Sequence, residues 1–252
     1  MRDEGRPIGR PCRTQLYLSA FLAYLLALRS VILTSALNTP ISFDALSGKR
    51  ILVVGGSGRV GGSVVTQLIQ RGSPTSGDNR CQVVVGGTSS DSLRMAQQRW
   101  MSLFPQYQDQ LSSIDFVKLD REDATSILNA LGSSVTGGAM SDFDLVIHTA
   151  GPFQGKVKCP NGVLEACIQA NIPYMDVCDD YCTAQAAKTR YHNRSPSPPC
   201  ILSTGCWPGV SSLMAKQLVS KTLAAYPKLK AEDLSIDFGF FTAGYVGVTT
   251  SR

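Results

Sequence analysis

The chain has 252 residues, 43% of them hydrophobic, 17% charged and 8% aromatic, with a formal net charge of +5. That length gives one large domain or two small ones with a real core, and the composition excludes a mainly disordered chain, a collagen and a coiled coil. Eight cysteines are too sparse for a small disulfide scaffold.

The charge is uneven. Residues 1–36 hold Arg2, Arg6, Arg10, Arg13 and Arg29 against Asp3 and Glu4, whereas the remainder carries 19 bases and 17 acids and is nearly neutral. The folded part therefore gives no reason to expect nucleic-acid binding. The Arg-rich start precedes an uncharged apolar stretch, Thr14 to Leu28, which Arg29 interrupts and Ser30 to Ala36 resume. Its 15 residues fall short of the ~20 needed to span a bilayer. A basic start, a short apolar centre and the small residues Thr34-Ser35-Ala36 fit a signal peptide. They fit a plastid-type leader or a signal anchor as well, which would bring residues 14–36 to a membrane. The alternative is an N-terminal helix packed on the domain. The expected layout is a targeting or anchoring segment and linker over 1–45, a folded domain over 46–244 and a short tail over 245–252. Organelle or secretory-pathway localisation follows from the leader.

From Arg50 onward short apolar runs alternate with helix-length amphipathic segments. Ile51–Val54 reads as a fully buried strand. Val60–Arg71 follows as a helix, with Val60, Val64, Leu68 and Ile69 along one side. Cys81–Val85 is a second strand, and Asp91 to about Phe104 a helix opened by the capping-type run Ser89-Ser90-Asp91. Ile114–Leu119, Asp144–His148, Tyr174–Val177, Cys200–Leu202 and Leu234–Phe241 are further strands. Between them lie helices over Glu122–Leu131, Pro160–Ala170, Asp180–Arg190 and Ser211–Ala224. Gly72–Arg80 and Ser133–Asp142 are polar, Gly-rich loops, and Arg194–Pro199 is an extended connection. Strands alternating with helices predict parallel pairing with right-handed crossovers, and near-continuous apolar strands predict a sheet covered on both faces. The fold class is α/β, a doubly wound, mostly parallel sheet of the dinucleotide-binding type.

The first strand runs into Gly55-Gly56-Ser57-Gly58-Arg59-Val60-Gly61. Gly56, Gly58 and Gly61 fit G-x-G-x-x-G, and Gly55, Gly58 and Gly61 fit a looser spacing. Glycine is needed where the chain turns sharply, where backbone touches a pyrophosphate and where the helix lies close to the sheet. The helix that follows aims free N–H groups and its positive dipole end at the phosphates. The strand–loop–helix context gives the motif its weight; a glycine-rich turn without cofactor is the alternative. An NAD site carries an acid at the end of the second strand. Here that end reads Val85-Gly86-Gly87-Thr88-Ser89-Ser90, with no acid until Asp91. Thr88, Ser89 and Ser90 can donate hydrogen bonds to a 2′-phosphate, and Arg59 or Arg94 can supply charge unless both are solvated surface arginines. NADP is favoured over NAD. Asp120, ending the third strand, either accepts from the adenine amine or caps the next helix.

Several segments together resemble the saccharopine dehydrogenase-like family in its NADP-binding domain. They are Val53–Gly61, Asp144–Phe153, Val163–Cys167 through Asn171–Val177, and Thr204–Ser211. The resemblance covers about Arg50 to Gly244. The combination of Ala150-Gly151-Pro152-Phe153, a Tyr-x-Asp strand and a G-x-x-P-G turn is more specific than the glycine loop alone. It implies an NAD(P)-dependent oxidoreductase that moves hydride between nicotinamide C4 and a carbon bonded to nitrogen, with an amino-acid-derived imine as the small-molecule substrate. On that reading Ala150, Gly151, Pro152 and Phe153 pass along the nicotinamide ribose, unless the turn is simply Pro-fixed with Phe153 as a core plug. Gly205-Cys206-Trp207-Pro208-Gly209 forms the floor of the substrate cleft or is purely structural, with Ser211 and Ser212 placed to cap the helix after it. Family members continue into a second α/β domain that closes over substrate. This chain stops at Arg252, so the expectation is a cofactor half that binds cofactor and turns over substrate poorly or not at all unless a partner chain or a homodimer replaces the missing wall. A non-catalytic NADP-binding or sensing protein is the rival reading.

Other chemistry is weaker. Tyr226-Pro227-Lys228-Leu229-Lys230 has Tyr-x-x-x-Lys spacing, but its proline prevents the two side chains from stacking on a helix. Cys178 and Cys182, with Cys159, Cys167 and His192 elsewhere, lack paired metal-ligand spacing, so no metal is expected. His148 reads as a core or edge histidine. Asp176, Asp179 and Asp180 read as a solvated strand end with a helix cap, or as groups that orient a substrate amine. No catalytic acid or base is singled out.

Overall fold

The computed structural model describes residues 46–72, 80–132, 142–154, 162–191 and 197–237, all within one compact unit that begins at Asp44. The leader proposed over residues 1–45, the loops over 73–79 and 133–141, and residues 238–252 lie outside these. Among the described residues no helix is long and apolar enough to cross a membrane.

The elements are β1 (Arg50–Val54), α1 (Arg59–Arg71), β2 (Gln82–Gly87), α2 (Ser90–Leu103), α3 (Gln108–Ser112), β3 (Asp115–Lys118), α4 (Ala124–Ala130), β4 (Leu145–His148), α5 (Gly162–Gln169), β5 (Tyr174–Asp176), α6 (Tyr181–Tyr191), β6 (Cys200–Ile201) and α7 (Ser211–Ala225). The six strands form one sheet in the order β3-β2-β1-β4-β5-β6, and every pairing is parallel. This is the doubly wound dinucleotide-binding arrangement. The chain order reverses at β1, whose neighbours are β2 and β4, and ligands lie in the crevice outside the strand ends at that point.

Alternation along β1 explains the two covered faces. Leu52 and Val54 join Val84, Val146 and Tyr174 under α4 and α5. Ile51 and Val53 join Val83, Val85 and Ile147 under α1, α2 and α3. All four β1 side chains from Ile51 to Val54 are at most 1% exposed, so the strand is apolar on both sides because both sides are core.

Four expectations are corrected. The buried stripe of α1 is Gly61, Gly62, Val65, Thr66 and Ile69, while Val60 is 52% exposed; the glycines let this face sit against the sheet and the Trp100 ring. Ser89 stands before α2 in extended conformation but makes no side-chain cap bond. Ser211 and Ser212 lie inside the first turn of α7 and do not cap it. Leu234–Asp237 form no strand, and the rest of that expected strand lies outside the described residues.

Candidate functional site

β1 delivers the chain to the crevice and the glycines turn it there. Gly55 adopts φ +77°, a left-handed value that favours glycine. Its N–H donates to the Gly86 carbonyl at 2.7 Å, and Gly58 N–H donates back to Gly55 at 2.9 Å. A Cβ on Gly55 would stand 2.9 Å from Ala150, and one on Gly56 would stand 2.9 Å from the Val85 side chain. Gly55 and Gly56 are therefore both packed too closely to carry a side chain. Gly58 differs: its φ of −73° suits any residue, and the nearest atom to an added Cβ is the Gly55 oxygen at 3.1 Å. It faces open space at the mouth of α1, where a phosphate cradle needs bare backbone.

The crevice is a cleft of about 350 Å³ lined by Val54 of β1 and Gly55, Ser57 and Gly58 of the first loop, by Gly86, Gly87, Thr88 and Ser89 at the β2 end and Ser92 in the first turn of α2, by Leu119, Asp120 and Arg121 after β3, and by Thr149, Ala150 and Gly151 after β4. Of the expected site residues, Gly55, Ser57, Gly58, Thr88, Ser89, Asp120, Ala150 and Gly151 are thus brought together. Gly56 and Gly61 pack behind the lining, and Arg59 and Val60 are exposed on the first turn of α1, outside it. Arg94 is also outside; its guanidinium pairs with Asp91 at 3.1 Å. The β2 end keeps its hydroxyls and has no carboxylate in the lining. A dinucleotide fits this set: a bare-backbone cradle at Gly58, hydroxyl donors at β2 and a carboxylate at β3.

Asp120 does not cap the next helix. Asp123 does, accepting from Thr125 N at 2.9 Å. Asp120 instead closes its own turn, Oδ1 accepting from Glu122 N at 2.9 Å, and remains exposed at the cleft.

The turn after β4 is held from three sides. Thr149 Oγ1 donates to the Val54 carbonyl at 2.8 Å. Arg121 Nη1 donates to the carbonyls of Ala150 and Pro152, and its Nη2 pairs with Glu122. Thr183 Oγ1 of α6 donates to the Phe153 carbonyl at 3.3 Å. Phe153 is 6% exposed, so it plugs the core while Ala150 and Gly151 line the cleft. Arg121, Thr149, Thr183 and Ser92 were not anticipated. Arg121 adjoins Asp120 in sequence, but its partners are backbone carbonyls that no side-chain pattern advertises.

Beneath this turn lies a buried polar series. His148 Nδ1 is 3.0 Å from Tyr174 Oη, which donates to Asp176 Oδ2 at 3.0 Å. Asp176 Oδ1 accepts from Ser203 N at 2.7 Å and Cys178 N at 3.2 Å. Asp176 is 2% exposed, which corrects the expectation of a solvated strand end. Burial pushes its carboxyl above the usual carboxylate range, against the opposing pull of the Ser203 and Cys178 N–H groups and the Tyr174 hydroxyl. Asp180 does cap α6, accepting from Thr183 N at 2.7 Å. The Gly205–Gly209 turn sits at the end of β6, with Gly209 at φ +128° against Ser203 and Thr204, and does not line the cleft. Among the described residues no three His, Cys, Asp or Glu side chains gather as a metal site. Tyr226 ends α7, so Tyr226 and Lys230 do not share a helix.

Residues 51–196 match the saccharopine dehydrogenase NADP binding domain. The chain belongs to this family. Its cofactor is NADP, in agreement with the acid-free end of β2. No curated protein matches the chain. Solved structures similar to it include Pen from Bacillus thuringiensis (14% identity, 62% of this chain and 49% of that one, TM-score 0.40). Two others are an NADPH-bound short chain oxidoreductase from Pseudomonas aeruginosa PAO1 with an atypical catalytic center (14%, 71% and 82%, 0.42) and a hydroxysteroid dehydrogenase from Escherichia coli (12%, 58% and 66%, 0.36). The chain spans about half the length of the first of these. Within the family, the matched segment contains the glycine loop, the β2 end, Asp120, Arg121 and the Ala150–Phe153 turn.

Proposed function

We propose that this chain holds NADP for an oxidoreductase that interconverts an amine and an imine, with an amino-acid-derived imine as the substrate class. The observation that carries the reading is the cleft at the β1–β4 switch, with a bare-backbone cradle at one side and a pinned Ala150–Gly151 wall at the other. When bound, NADP supplies hydride chemistry at nicotinamide C4. Gly55, Ser57 and Gly58 hold the pyrophosphate against the N-terminus of α1. Thr88, Ser89 and Ser92 face the adenosine ribose and its 2′-phosphate, and Asp120 accepts from the adenine amine. Ala150 and Gly151, with Pro152 and Phe153 behind them, position the nicotinamide half.

Titration of the purified chain with NADPH and NADH tests the cofactor reading, and Ser89→Asp sharpens it. A carboxylate at the β2 end repels the 2′-phosphate and should move the preference toward NADH by about tenfold or more. Equal affinities in both proteins would sink this assignment. NADPH oxidation with imines of amino-acid origin tests the reaction class.

A second reading, NADP binding without turnover, is favoured by one observation. Among the described residues that line the cleft, the ionisable side chains are Asp120 and Arg121, and Arg121 is engaged with backbone. Tight NADPH binding with no turnover of any imine would select it. We also propose that residues 14–36 direct the chain to a membrane or organelle; a reporter fused to residues 1–45 that stays diffuse in the cytosol would refute this.

A further inference from the structure

We propose that Tyr174 and Asp176 are positioning residues for the nicotinamide half of the cofactor, acting through His148 and Phe153 on the Ala150–Phe153 turn. The inference rests on the cofactor reading above.

His148, Tyr174 and Asp176 are 3%, 1% and 2% exposed. Three polar side chains in a core cost stability unless each is satisfied, and apolar side chains of similar volume would fill the space with less penalty. The hydrogen bonds among the three instead fix one arrangement of the groups around them. Here the arrangement has a direction. Tyr174 O–H is given to Asp176 Oδ2 at 3.0 Å, so the phenol oxygen is left to accept, and His148 Nδ1, 3.0 Å away, is the donor. The ring proton therefore sits on Nδ1. Asp176 is itself tied to the loops after β5 and β6, through Cys178 N and Ser203 N on its carboxylate and through Thr204, whose N–H and Oγ1–H both donate to its main-chain carbonyl.

At the other end the oriented imidazole meets Phe153 edge to face, with centroids 5.0 Å apart at 60°. Phe153 is the last residue of the turn, and Thr183 holds its carbonyl at 3.3 Å. The series thus sets the depth of Phe153, and Phe153 sets where Ala150 and Gly151 stand in the cleft wall. The adenosine ribose belongs at the β2 end and the pyrophosphate at the glycine loop, so the β4 wall serves the other half of a dinucleotide laid across the switch point.

Tyr174→Phe removes the linking hydroxyl and keeps the ring. Asp176→Asn keeps an acceptor for Ser203 and Cys178 but presents an NH2 to Tyr174, which reverses the series and moves the His148 proton to Nε2. The full chain and both variants are titrated with NADPH and with adenosine 2′,5′-bisphosphate, and the imidazole nitrogens are read by NMR. The chain has two histidines, so His192→Gln assigns the His148 signals. The expected result is a loss of NADPH affinity of about fivefold or more in each variant, with the bisphosphate within about twofold of wild type. The Asn variant should also show the tautomer shift. Unchanged NADPH affinity, equal weakening of both ligands, or unfolding of both variants would overturn the inference and leave the series a stability element. A wild-type chain that binds neither ligand refutes the cofactor reading itself, and the inference with it.

Discussion

Gly61 lies so close to Gly55 that a Cβ on Gly61 would stand 2.3 Å from the Gly55 carbonyl oxygen, and 2.6 Å from Thr149 Oγ1. Gly58, three residues earlier, would put its Cβ 3.1 Å from that same oxygen and near nothing else. The two glycines therefore serve different ends. Gly61→Ala should cost folding stability, about 1–3 kcal/mol of overpacking, because helix and loop must part. Gly58→Ala should melt near wild type yet lose about tenfold or more in NADPH affinity, about 1.4 kcal/mol, because its methyl enters the phosphate cradle. Thermal melts beside a cofactor titration separate them; two variants with the same profile would show that the loop has one role.

Arg121 joins the loop after β3 to the turn after β4. Arg121→Ala leaves the Ala150 and Pro152 carbonyls to water and frees the cleft wall. NADPH affinity should fall about five- to tenfold, in keeping with the loss of hydrogen bonds to a charged donor. Isothermal calorimetry reads this directly, and an unchanged dissociation constant would remove Arg121 from the site.

Thiol reactivity should divide by burial. Burial and the nearby Asp144 push Cys81 up to about 11, burial chiefly pushes Cys178 up to about 11, and burial moves Cys167 up as well. All three are buried, whereas Cys182 and Cys206 are exposed. Iodoacetamide at mildly alkaline pH, followed by peptide mass spectrometry, should label Cys182 and Cys206 first among the cysteines of the described residues. Early labelling of Cys167 in the native chain would contradict the packing around it.

Asp144 ties the starts of β1 and β4 together, accepting from Arg50 N at 2.8 Å and Lys49 Nζ at 2.9 Å. Those two bonds, the Arg50 N–H first, hold its carboxyl below the usual carboxylate value of 3.8. A lowered folded value means that the unfolded chain binds the proton more readily, so the stabilisation is present above 3.8 and is lost as pH falls through the lowered value. Asp144→Asn should cost at most about 1 kcal/mol near neutrality, since the pair is solvent-screened. The cost should shrink toward zero in acid; urea melts across that range would show a constant gap if the carboxylate were not responsible.

The β-strand ladder was legible because both faces of each central strand are core: Ile51–Val54 can hardly be read as anything else. The end of β2 was less so, since Gly86 and Gly87 extend the strand only by pairing with Val54 and with Val117 and Lys118, which composition does not display. α3 was missed because Leu111 is its one buried side chain. α7 was read as an amphipathic segment of helix length, yet none of its side chains is buried, so its apolar positions do not mark a core face. Within the site, the glycines were readable as a motif because small size is itself the signal. Asp176 was misjudged because three nearby acids look like a wet strand end, and only the fold shows which of them turns inward to meet Tyr174.

The left-handed turn at Gly55 rests against Ala150, and Thr149 is bonded to Val54 across 95 residues of sequence. The motif and the wall that shapes it are thus made far apart in time as the polypeptide is synthesised. A nascent chain that has not yet produced β4 possesses all the loop glycines and lacks the wall they rest against. Cofactor capture should consequently come late in biogenesis, after the long-range parallel pairing of β1 with β4, and a fragment ending before Leu145 should display the signature while binding NADPH about tenfold or more weakly than the full chain.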